Sequence, residues 1–527
     1  MFSPNFHQKN REIAFLSRHL CYNFYEGGEK MKKFFKEHDL IKLVSLVLIV
    51  VIVLSWIIPS GSFSTGASFT EGDMGRIGLA HIFYGFDFAL QNYSIQIGFL
   101  VLLGMFYGVV SKTEGYRALV SRFVKVCKGH EIGIAIIISL LVALLTSFLN
   151  NTYIILVFLP FLVTALRRLG FDKISAFATT FGALLVGILG ATYGTEGLDG
   201  FILYLTYSGA DVSITTELAV RFGILILAYV LYTFFNVVYI KKLFSDKKRE
   251  EVKVIDDKFA VEEPKKKKSK VWPTAVMFII LFVFVILGFT SWNMTTQSGS
   301  TTFGITIFED FHEWLMGLTI GGEDGIAIFQ SILGGSLPNL GYELVPSFGN
   351  WYLFSYCIVL AIATVIVAFA SKMGLNDFFT NIGEGFKKMI RPIMFLLLSY
   401  MVFAFLYWNP FIPTIINEIG KMASGFNPFV ATIQAIVGSF FNTDFAYLGY
   451  TLSYYLASFS GTEGNLIVVI YSTIYGLVQF VTPISTFLLF GLSYMNIPYK
   501  KWMKYIWKFL LAMLVCLLVI FALLTYL

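Results

Sequence analysis

Between two apolar limbs the chain carries the polar tip Ser147-Phe148-Leu149-Asn150-Asn151-Thr152. A second tip, Ser439-Phe440-Phe441-Asn442-Thr443-Asp444, follows 292 positions later and is flanked in the same way. A polar tip between hydrophobic limbs, once in each half of a chain, is typical of transporters built from two related repeats. We therefore predict an all-α polytopic membrane protein with two inverted repeats.

The lengths of the limbs favour hairpins that stop inside the membrane. The limbs cover 132–149, 153–166, 428–441 and 445–459. A span needs about 20 apolar residues at ~1.5 Å each, so the shorter limbs reach only about 21–23 Å. This predicts re-entrant helical hairpins at 132–166 and 428–459. Because the limb 132–149 is long enough to span alone, a surface loop between two spanning helices stays open as the alternative at the first tip.

Composition supports a membrane protein. Hydrophobic residues make up 57% of the chain, charged residues 14%, and the mean hydropathy is +0.73, outside the range of soluble globular proteins. The long apolar runs lack the alternation of β-barrel strands. They cover 41–58, 95–110, 272–289, 352–370, 393–407 and 509–527. The scattered Cys21, Cys127, Cys357 and Cys516 form no CxxC pair, so neither a metal site nor a disulfide framework is predicted.

Basic residues predict the orientation of the chain in the membrane. Residues 241–270 contain twelve Lys or Arg, whereas 293–350 contain none. By the positive-inside rule the first segment is cytoplasmic and the second is external. The net charge of +6 therefore has a topological role and does not indicate nucleic acid. The predicted parts are a first repeat (31–240), a charged cytoplasmic linker (241–271), a linker transmembrane helix with an external segment (272–350) and a second repeat (351–527).

Each repeat also contains an interrupted apolar stretch. In 174–206 the interruption is Gly190-Ala191-Thr192-Tyr193-Gly194-Thr195-Glu196-Gly197, and three glycines with a carboxylate are unfavourable in an unbroken helix. In 465–497 it is Thr482-Pro483-Ile484-Ser485-Thr486. The same 292-residue offset that relates the two tips also relates the two interruptions. We therefore predict one broken transmembrane helix in each repeat.

The tips and breaks supply the polar atoms of a candidate site. Irregular backbone inside a membrane is tolerated only where it lines a cavity or is buried in protein. Freed carbonyl groups and side-chain oxygens suit Na⁺ or a proton, whereas helix N-termini suit a carboxylate. Capping of helix ends is the alternative role for these Asn and Thr residues. The candidate substrate- and ion-binding residues are Asn150, Asn151, Thr152, Thr195, Glu196, Asn442, Thr443, Asp444, Thr482, Ser485 and Thr486. We expect no cofactor beyond a coupling Na⁺ or H⁺.

Five segments carry a resemblance to a known family. They are Val481-Thr482-Pro483-Ile484-Ser485-Thr486, Asn496-Ile497-Pro498-Tyr499-Lys500-Lys501-Trp502, Lys504-Tyr505-Ile506-Trp507, Gly75-Arg76-Ile77-Gly78-Leu79 and Glu384-Gly385-Phe386. They resemble the C4-dicarboxylate anaerobic carrier family (DcuC/YfcC-like) of the ion transporter superfamily. The resemblance implies secondary transport of dicarboxylates or, in the YfcC-like branch, of basic amino acids, across a bacterial-type inner membrane. Many relatives in the superfamily are dimeric, so the resemblance also admits a homodimer.

The charge of the candidate site favours an amino acid as the solute. Glu196 and Asp444 are acidic, and neither tip nor break contains Lys or Arg. A negative charge 4 Å from one carboxylate would cost about 4 kcal/mol at an effective dielectric constant of 20. We therefore expect an ion-coupled symporter or exchanger for a small organic solute, with an amino acid, basic ones included, ahead of a C4-dicarboxylate. A channel and an intramembrane enzyme are less favoured, because the pattern predicts a pinched site and lacks HExxH and intramembrane Gly-x-Gly-Asp.

The first thirty residues have an unusual coding pattern. Glu26-Gly27-Gly28-Glu29-Lys30 back-translates to a purine-rich run that resembles a ribosome-binding site immediately before Met31. We hypothesise that translation begins at Met31 and that residues 1–30 were wrongly assigned to the protein. A disordered cytoplasmic tail is the alternative.

Overall fold

The computed structural model describes residues 39–213, 215–245, 257–264, 271–295, 301–321, 326–333, 336–337, 342–343, 345–459 and 461–526. The hypothesis on residues 1–30 and most of the predicted linker 241–271 lie outside these residues. The segment 257–264 of that linker is described.

The described chain begins with a helix and a β-hairpin. The hairpin turns at Gly66, whose φ of 77° is a left-handed conformation that glycine adopts without strain. The next two helices meet at a bend of 69°. The sequence predicts that 60–94 lies outside, because Arg76 is its single basic residue, and it predicts neither the hairpin nor the first of these helices. The elements are α1 (Asp39–Ile57), β1 (Ser60–Ser64), β2 (Ser68–Gly72), α2 (Leu79–Asn92) and α3 (Ser94–Val110).

The remaining elements form a first half, a connecting region and a second half. The first half contains α4 (Glu114–Cys127), α5 (Glu131–Phe148), a 3₁₀ segment (Thr152–Val157), α6 (Leu159–Arg168), α7 (Lys173–Phe177), a π-helical turn (Ala178–Gly182), α8 (Ala183–Leu189), α9 (Glu196–Tyr207) and α10 (Leu218–Ser245). The connecting region contains α11 (Trp272–Phe289), β3 (Asn293–Thr295), β4 (Thr301–Gly304), α12 (Ile307–Met316), β5 (Thr319–Ile320), β6 (Ile326–Ala327), α13 (Ile328–Leu333), β7 (Ser336–Leu337) and β8 (Tyr342–Glu343), and its strands pair as antiparallel neighbours. The second half contains α14 (Leu353–Ala370), α15 (Leu375–Trp408), α16 (Ile412–Gly420), α17 (Pro428–Phe441), α18 (Phe445–Leu456), α19 (Thr462–Gln479), α20 (Thr486–Met495) and α21 (Tyr499–Tyr526).

Seven helices in the described part of the chain are long and apolar enough to cross a membrane, and the bent pair α2–α3 brings the number to eight if the pair is one broken span. They are α1, α5, α10, α11, α14, α15 and α21. Exposed apolar side chains on these helices, such as Val238 and Ile279, suit contact with lipid. The helix α15 is much longer than the apolar run 393–407 predicts, because its polar first turns continue the same helix.

Two glycine contacts bring helices together at backbone distance. A Cβ on Gly385 of α15 would lie 2.1 Å from the Gly104 carbonyl oxygen of α3. A Cβ on Gly476 of α19 would lie 2.1 Å from the Cα of Leu189, at the end of α8. Small residues allow such close packing of membrane helices. The second contact places the broken helix of the second half directly against that of the first.

The two hairpins differ in the length of their limbs. The first limb, α5, has 18 residues and the length of a full span, whereas α17 and α18 have 14 and 12 residues. The amide of Asn150 at the first tip also donates to the carbonyl oxygen of Phe289, at the end of the spanning helix α11 (2.8 Å). The first tip is therefore held beside the end of a spanning helix. The inverted relation between the halves stays a prediction.

Candidate functional site

Both broken helices are interrupted beside a common cavity. The first break, 190–195, separates α8 from α9 and contains Gly194 at a φ of 63°. The second break, 480–485, separates α19 from α20 and contains Pro483, which lacks a backbone donor. Both breaks leave polar backbone groups outside regular helix, as a binding site between helices requires.

The cavity has a volume of about 230 Å³ and takes its walls from both halves. Hydroxyl, amide and carboxylate groups supply its polar lining, and no Lys, Arg or His is among the described residues that line it. The polar lining residues are Tyr93, Gln96, Thr146, Tyr153, Thr152, Thr195, Glu196, Tyr400, Thr443, Asp444, Ser472, Tyr475, Gln479 and Thr486.

Two carboxylates in this lining stand at helix N-termini. Glu196 begins α9, and its Oε2 accepts a hydrogen bond from Nδ2 of Asn151 (3.1 Å). Asp444 caps α18, and its Oδ1 accepts from the amides of Ala446 (2.9 Å) and Tyr447 (3.3 Å). The helix dipoles favour negative charge at both positions. Capping uses only one oxygen of Asp444, since Oδ2 accepts no hydrogen bond from the described residues.

Tyrosine side chains form much of the remaining wall. The rings of Tyr93 and Tyr400 stack with centroids 3.4 Å apart, and the hydroxyl of Tyr400 contacts that of Tyr153. The hydroxyl of Tyr475 donates to the carbonyl oxygen of Thr443 (3.0 Å), which ties the wall to the second tip. Tyr153 belongs to the first half and Tyr400 to the second. Their contact therefore joins the two halves at the wall of the cavity.

Several buried polar atoms of this lining have no hydrogen-bond partner in the described part of the chain. They are Oε1 of Gln96, Oγ1 of Thr443 and Nε2 of Gln479. Buried polar groups are nearly always satisfied in folded proteins. Unsatisfied donors and acceptors in the wall of a cavity are the arrangement expected for a polar ligand site.

The two tips differ in how their serine hydroxyls are satisfied. At the first tip, Oγ of Ser147 bonds the carbonyl oxygen of Gly190 (2.6 Å) and Oγ1 of Thr192 (2.8 Å). At the second tip, Oγ of the matching Ser439 is buried without a partner among the described residues. Oδ1 of Asn442 and Oγ of Ser485 share this condition. The serine hydroxyl is therefore engaged at the first tip and free of described partners at the second, whereas Oδ1 of Asn150 at the first tip is unpartnered like that of Asn442.

The structure brings six of the eleven predicted site residues into the cavity wall: Thr152, Thr195, Glu196, Thr443, Asp444 and Thr486. The other five, Asn150, Asn151, Asn442, Thr482 and Ser485, lie outside this lining. Nδ2 of Asn151 donates to Oε2 of Glu196 (3.1 Å), and Oγ1 of Thr482 donates to the carbonyl oxygen of Phe440 (2.6 Å). The sequence predicts that the polar side-chain atoms of Asn151 and Thr482 bind a ligand. The structure instead uses them in hydrogen bonds within the chain, to Glu196 and to the second tip.

Residues 38–526 match the family model for the C4-dicarboxylate anaerobic carriers (DcuC). The chain belongs to this family. With its seven to eight apolar spans, the carrier is a multi-pass membrane transporter. The carrier is also similar in structure to the YdaH transporter of Alcanivorax borkumensis, with 12% identity and a TM-score of 0.42 over 91% of this chain and 96% of that one. No curated protein matches the chain.

Sequence reasoning misses much of the carrier's cavity wall. Tyr93, Gln96, Tyr400 and Tyr475 stand inside or beside apolar runs, where tyrosine and glutamine give no motif. Asp199 follows Glu196 by one turn of α9, and it interacts electrostatically with Arg221, a fully buried residue of α10. Arg221 within the apolar helix α10 is the sequence signal from which this interaction between Asp199 and Arg221 could have been predicted, since charged residues inside membrane helices are usually functional.

Proposed function

We propose that the carrier is a secondary active transporter that binds a small organic solute in the cavity and moves it by alternating access. The support is the position of the cavity, between tips and breaks contributed by both halves. The contact between Tyr153 and Tyr400 joins the halves across the cavity and must break when they separate. Such an arrangement suits gating around a fixed site.

The solute we propose is an amino acid, with the basic amino acids as the first candidates. The observation that carries this proposal is the charge of the wall, which has Glu196 and Asp444 and no described basic residue. An ammonium group would offset these carboxylates.

The carboxylate of an amino acid would bind at the N-terminus of α20. Thr486 and Phe487, in the first turn of this helix, line the cavity. The cap residue Ser485 makes no side-chain capping bond, so the first-turn amides are not engaged by it. The N-termini of α9 and α18 already carry Glu196 and Asp444. Of these three helix ends, α20 is the one suited to an anion.

We propose Na⁺ as the coupling ion, held at the second tip and break. Ser439, Asn442 and Ser485 each offer a buried oxygen without a described partner. Hydroxyl and amide oxygens are neutral ligands that suit a hard cation such as Na⁺, and they do not gain or lose a proton near neutral pH. A proton would instead be carried by a carboxylate such as Asp444. Dependence of transport on Na⁺ at fixed pH distinguishes the two ions.

A C4-dicarboxylate is the second candidate, favoured by the family to which the chain belongs. It would rely on the N-terminus of α20 and on a previously bound cation. The Coulomb cost of a dianion beside two carboxylates, about 4 kcal/mol for one contact at 4 Å and a dielectric constant of 20, counts against it.

Counterflow in proteoliposomes tests the proposal. Vesicles loaded with unlabelled arginine should accumulate labelled arginine in the presence of Na⁺, which a channel cannot do. Asp444→Asn should abolish this accumulation, whereas Glu418→Gln, at an exposed carboxylate paired with Lys421, should not change it. Strong exchange of succinate or fumarate, with no response to arginine, ornithine or lysine, would contradict the amino-acid proposal.

A further inference from the structure

A segment of the charged linker packs between the two halves. We call residues 257–264 the linker strap. Oδ2 of its Asp257 accepts from Nε of Arg167 on α6 (2.8 Å), and the two side chains are only 12% and 5% exposed. The next aromatic residue, Phe259, is 1% exposed and packs against Tyr107 of α3 and Tyr494 of α20, with ring centroids 5.6 and 6.3 Å away. The strap therefore contacts both halves, through Arg167 of the first and Tyr494 of the second.

A second cavity, of about 400 Å³, lies beside the strap. Three cationic side chains line this strap cavity: Lys173 of α7, Lys258 of the strap and Arg391 of α15. The one carboxylate in its described lining is Asp257, which is already paired with Arg167. None of the three cations has an ion pair among the described residues. Nζ of Lys258 donates only to a neutral group, the carbonyl oxygen of Lys388.

Unsatisfied donors accompany this excess of positive charge. Nε of Arg391 and Oγ of Ser493 are buried without a described hydrogen-bond partner. Nη1 of Arg391 donates to Oδ1 of Asn496 (3.3 Å), which leaves the rest of the guanidinium for another acceptor. Burial, together with the charges of Arg391 and Lys388, lowers the pKa of Lys258 to about 7. Uncompensated like charges destabilise one another, and a bound anion would relieve this repulsion.

We propose that the strap cavity is a binding site for a small oxyanion with phosphate or carboxylate chemistry. The anion would receive charge-assisted hydrogen bonds from Lys258 and Arg391 and a neutral one from Ser493. Because Lys258 belongs to the strap and Arg391 to α15, the bound anion links the linker to the second half. The occupied site then holds the strap across the interface between the halves. The site is separate from the solute cavity and does not depend on which solute is transported.

Equilibrium binding of radiolabelled sulfate to the purified full-length carrier tests this proposal. Sulfate is the probe because its charge does not change near neutral pH. We expect saturable binding of about one sulfate per chain, weakened at least tenfold in Lys258→Gln and in Arg391→Gln. The matched control is Lys241→Gln, at an exposed lysine near the end of α10, which should bind like the wild type. Ser493→Ala removes a hydrogen-bond donor but no charge. It should weaken sulfate binding by a smaller factor than the two charge-removing variants, which checks that the anion contacts the site and is not only attracted by its net charge.

Competition identifies the source of the anion. Displacement of sulfate by inorganic phosphate and by a short-chain phosphatidate alike indicates a free oxyanion, whereas displacement by the phosphatidate alone indicates a lipid headgroup.

Sulfate binding should also weaken between about pH 6 and pH 9, because Lys258 loses its charge as the pH passes its pKa of about 7. Lys173, Arg391, Lys388 and Asp257 are the other charged groups facing this lysine. Burial and the charge of Lys112 lower the pKa of Lys388, so any loss of its charge on raising the pH would weaken sulfate binding in the same direction. The absence of sulfate binding, or equal binding by Lys258→Gln, Arg391→Gln and the wild type, would overturn the proposal.

Discussion

At the first tip the hydroxyl of Ser147 bonds both Gly190 and Thr192, whereas the matching hydroxyl of Ser439 at the second tip is buried without a described partner. The first tip is also tied by its backbone to α11, through Asn150. Among the described residues, Oδ1 of Asn150 is the one buried side-chain atom of the first tip without a partner, whereas Ser439, Asn442 and Thr443 each have one at the second tip. A tip most of whose polar atoms are satisfied from within the chain stabilises the fold. A tip whose polar atoms are not satisfied is prepared for a ligand. We infer that two segments with similar sequence patterns have separate tasks, the first mainly structural and the second ion binding.

The largest effects are expected at the two matching asparagines. Both Asn150 and Asn442 have a buried Oδ1 without a described partner. We expect Asn150→Ala and Asn442→Ala each to abolish transport while expression stays near normal. The comparison of the two tips predicts that Asn442→Ala loses ion binding, whereas Asn150→Ala keeps it. Uptake assays combined with sodium binding check this, and normal transport by both variants would identify the tips as ordinary turns.

The next effect concerns the charge at the second tip. Asp444→Asn should weaken binding of a cationic amino acid at least tenfold, about 1.4 kcal/mol, because Oδ2 of Asp444 is not engaged by its helix. Thr152 occupies the matching position of the first tip and also lines the cavity. Thr152→Val should have a clearly smaller effect in the same binding assay. Equal losses in the two variants would show that the tips contribute alike.

A smaller effect is expected for Ser147, whose hydroxyl is hydrogen-bonded within the chain. Ser147→Ala removes the hydrogen bonds to Gly190 and Thr192 and leaves a buried carbonyl oxygen short of a donor. We expect a loss of about 1–2 kcal/mol of stability, with transport close to normal. Thermal unfolding of the purified protein measures the loss. A normal melting temperature with defective ion coupling would reverse the roles assigned to the two tips.

The sequence was sufficient for the membrane class, the two tips and the two breaks, because long apolar runs and the glycine and proline interruptions leave strong local signals. It was not sufficient for the walls of the cavity. Tyr93 and Tyr400 reach the cavity only through the bend between α2 and α3 and through the packing of α15, and neither is encoded locally. The sequence also does not distinguish Thr482, which joins tip to break, from Thr486, which lines the cavity.

The central claim, that the second tip binds the coupling cation and the first does not, is tested most directly by equilibrium binding of radiolabelled sodium. The comparison uses the purified wild type, Ser439→Ala and Ser147→Ala. We predict saturable binding by the wild type and by Ser147→Ala, with at least tenfold weaker binding by Ser439→Ala. Equal binding by Ser439→Ala and the wild type, or a loss confined to Ser147→Ala, would contradict the account.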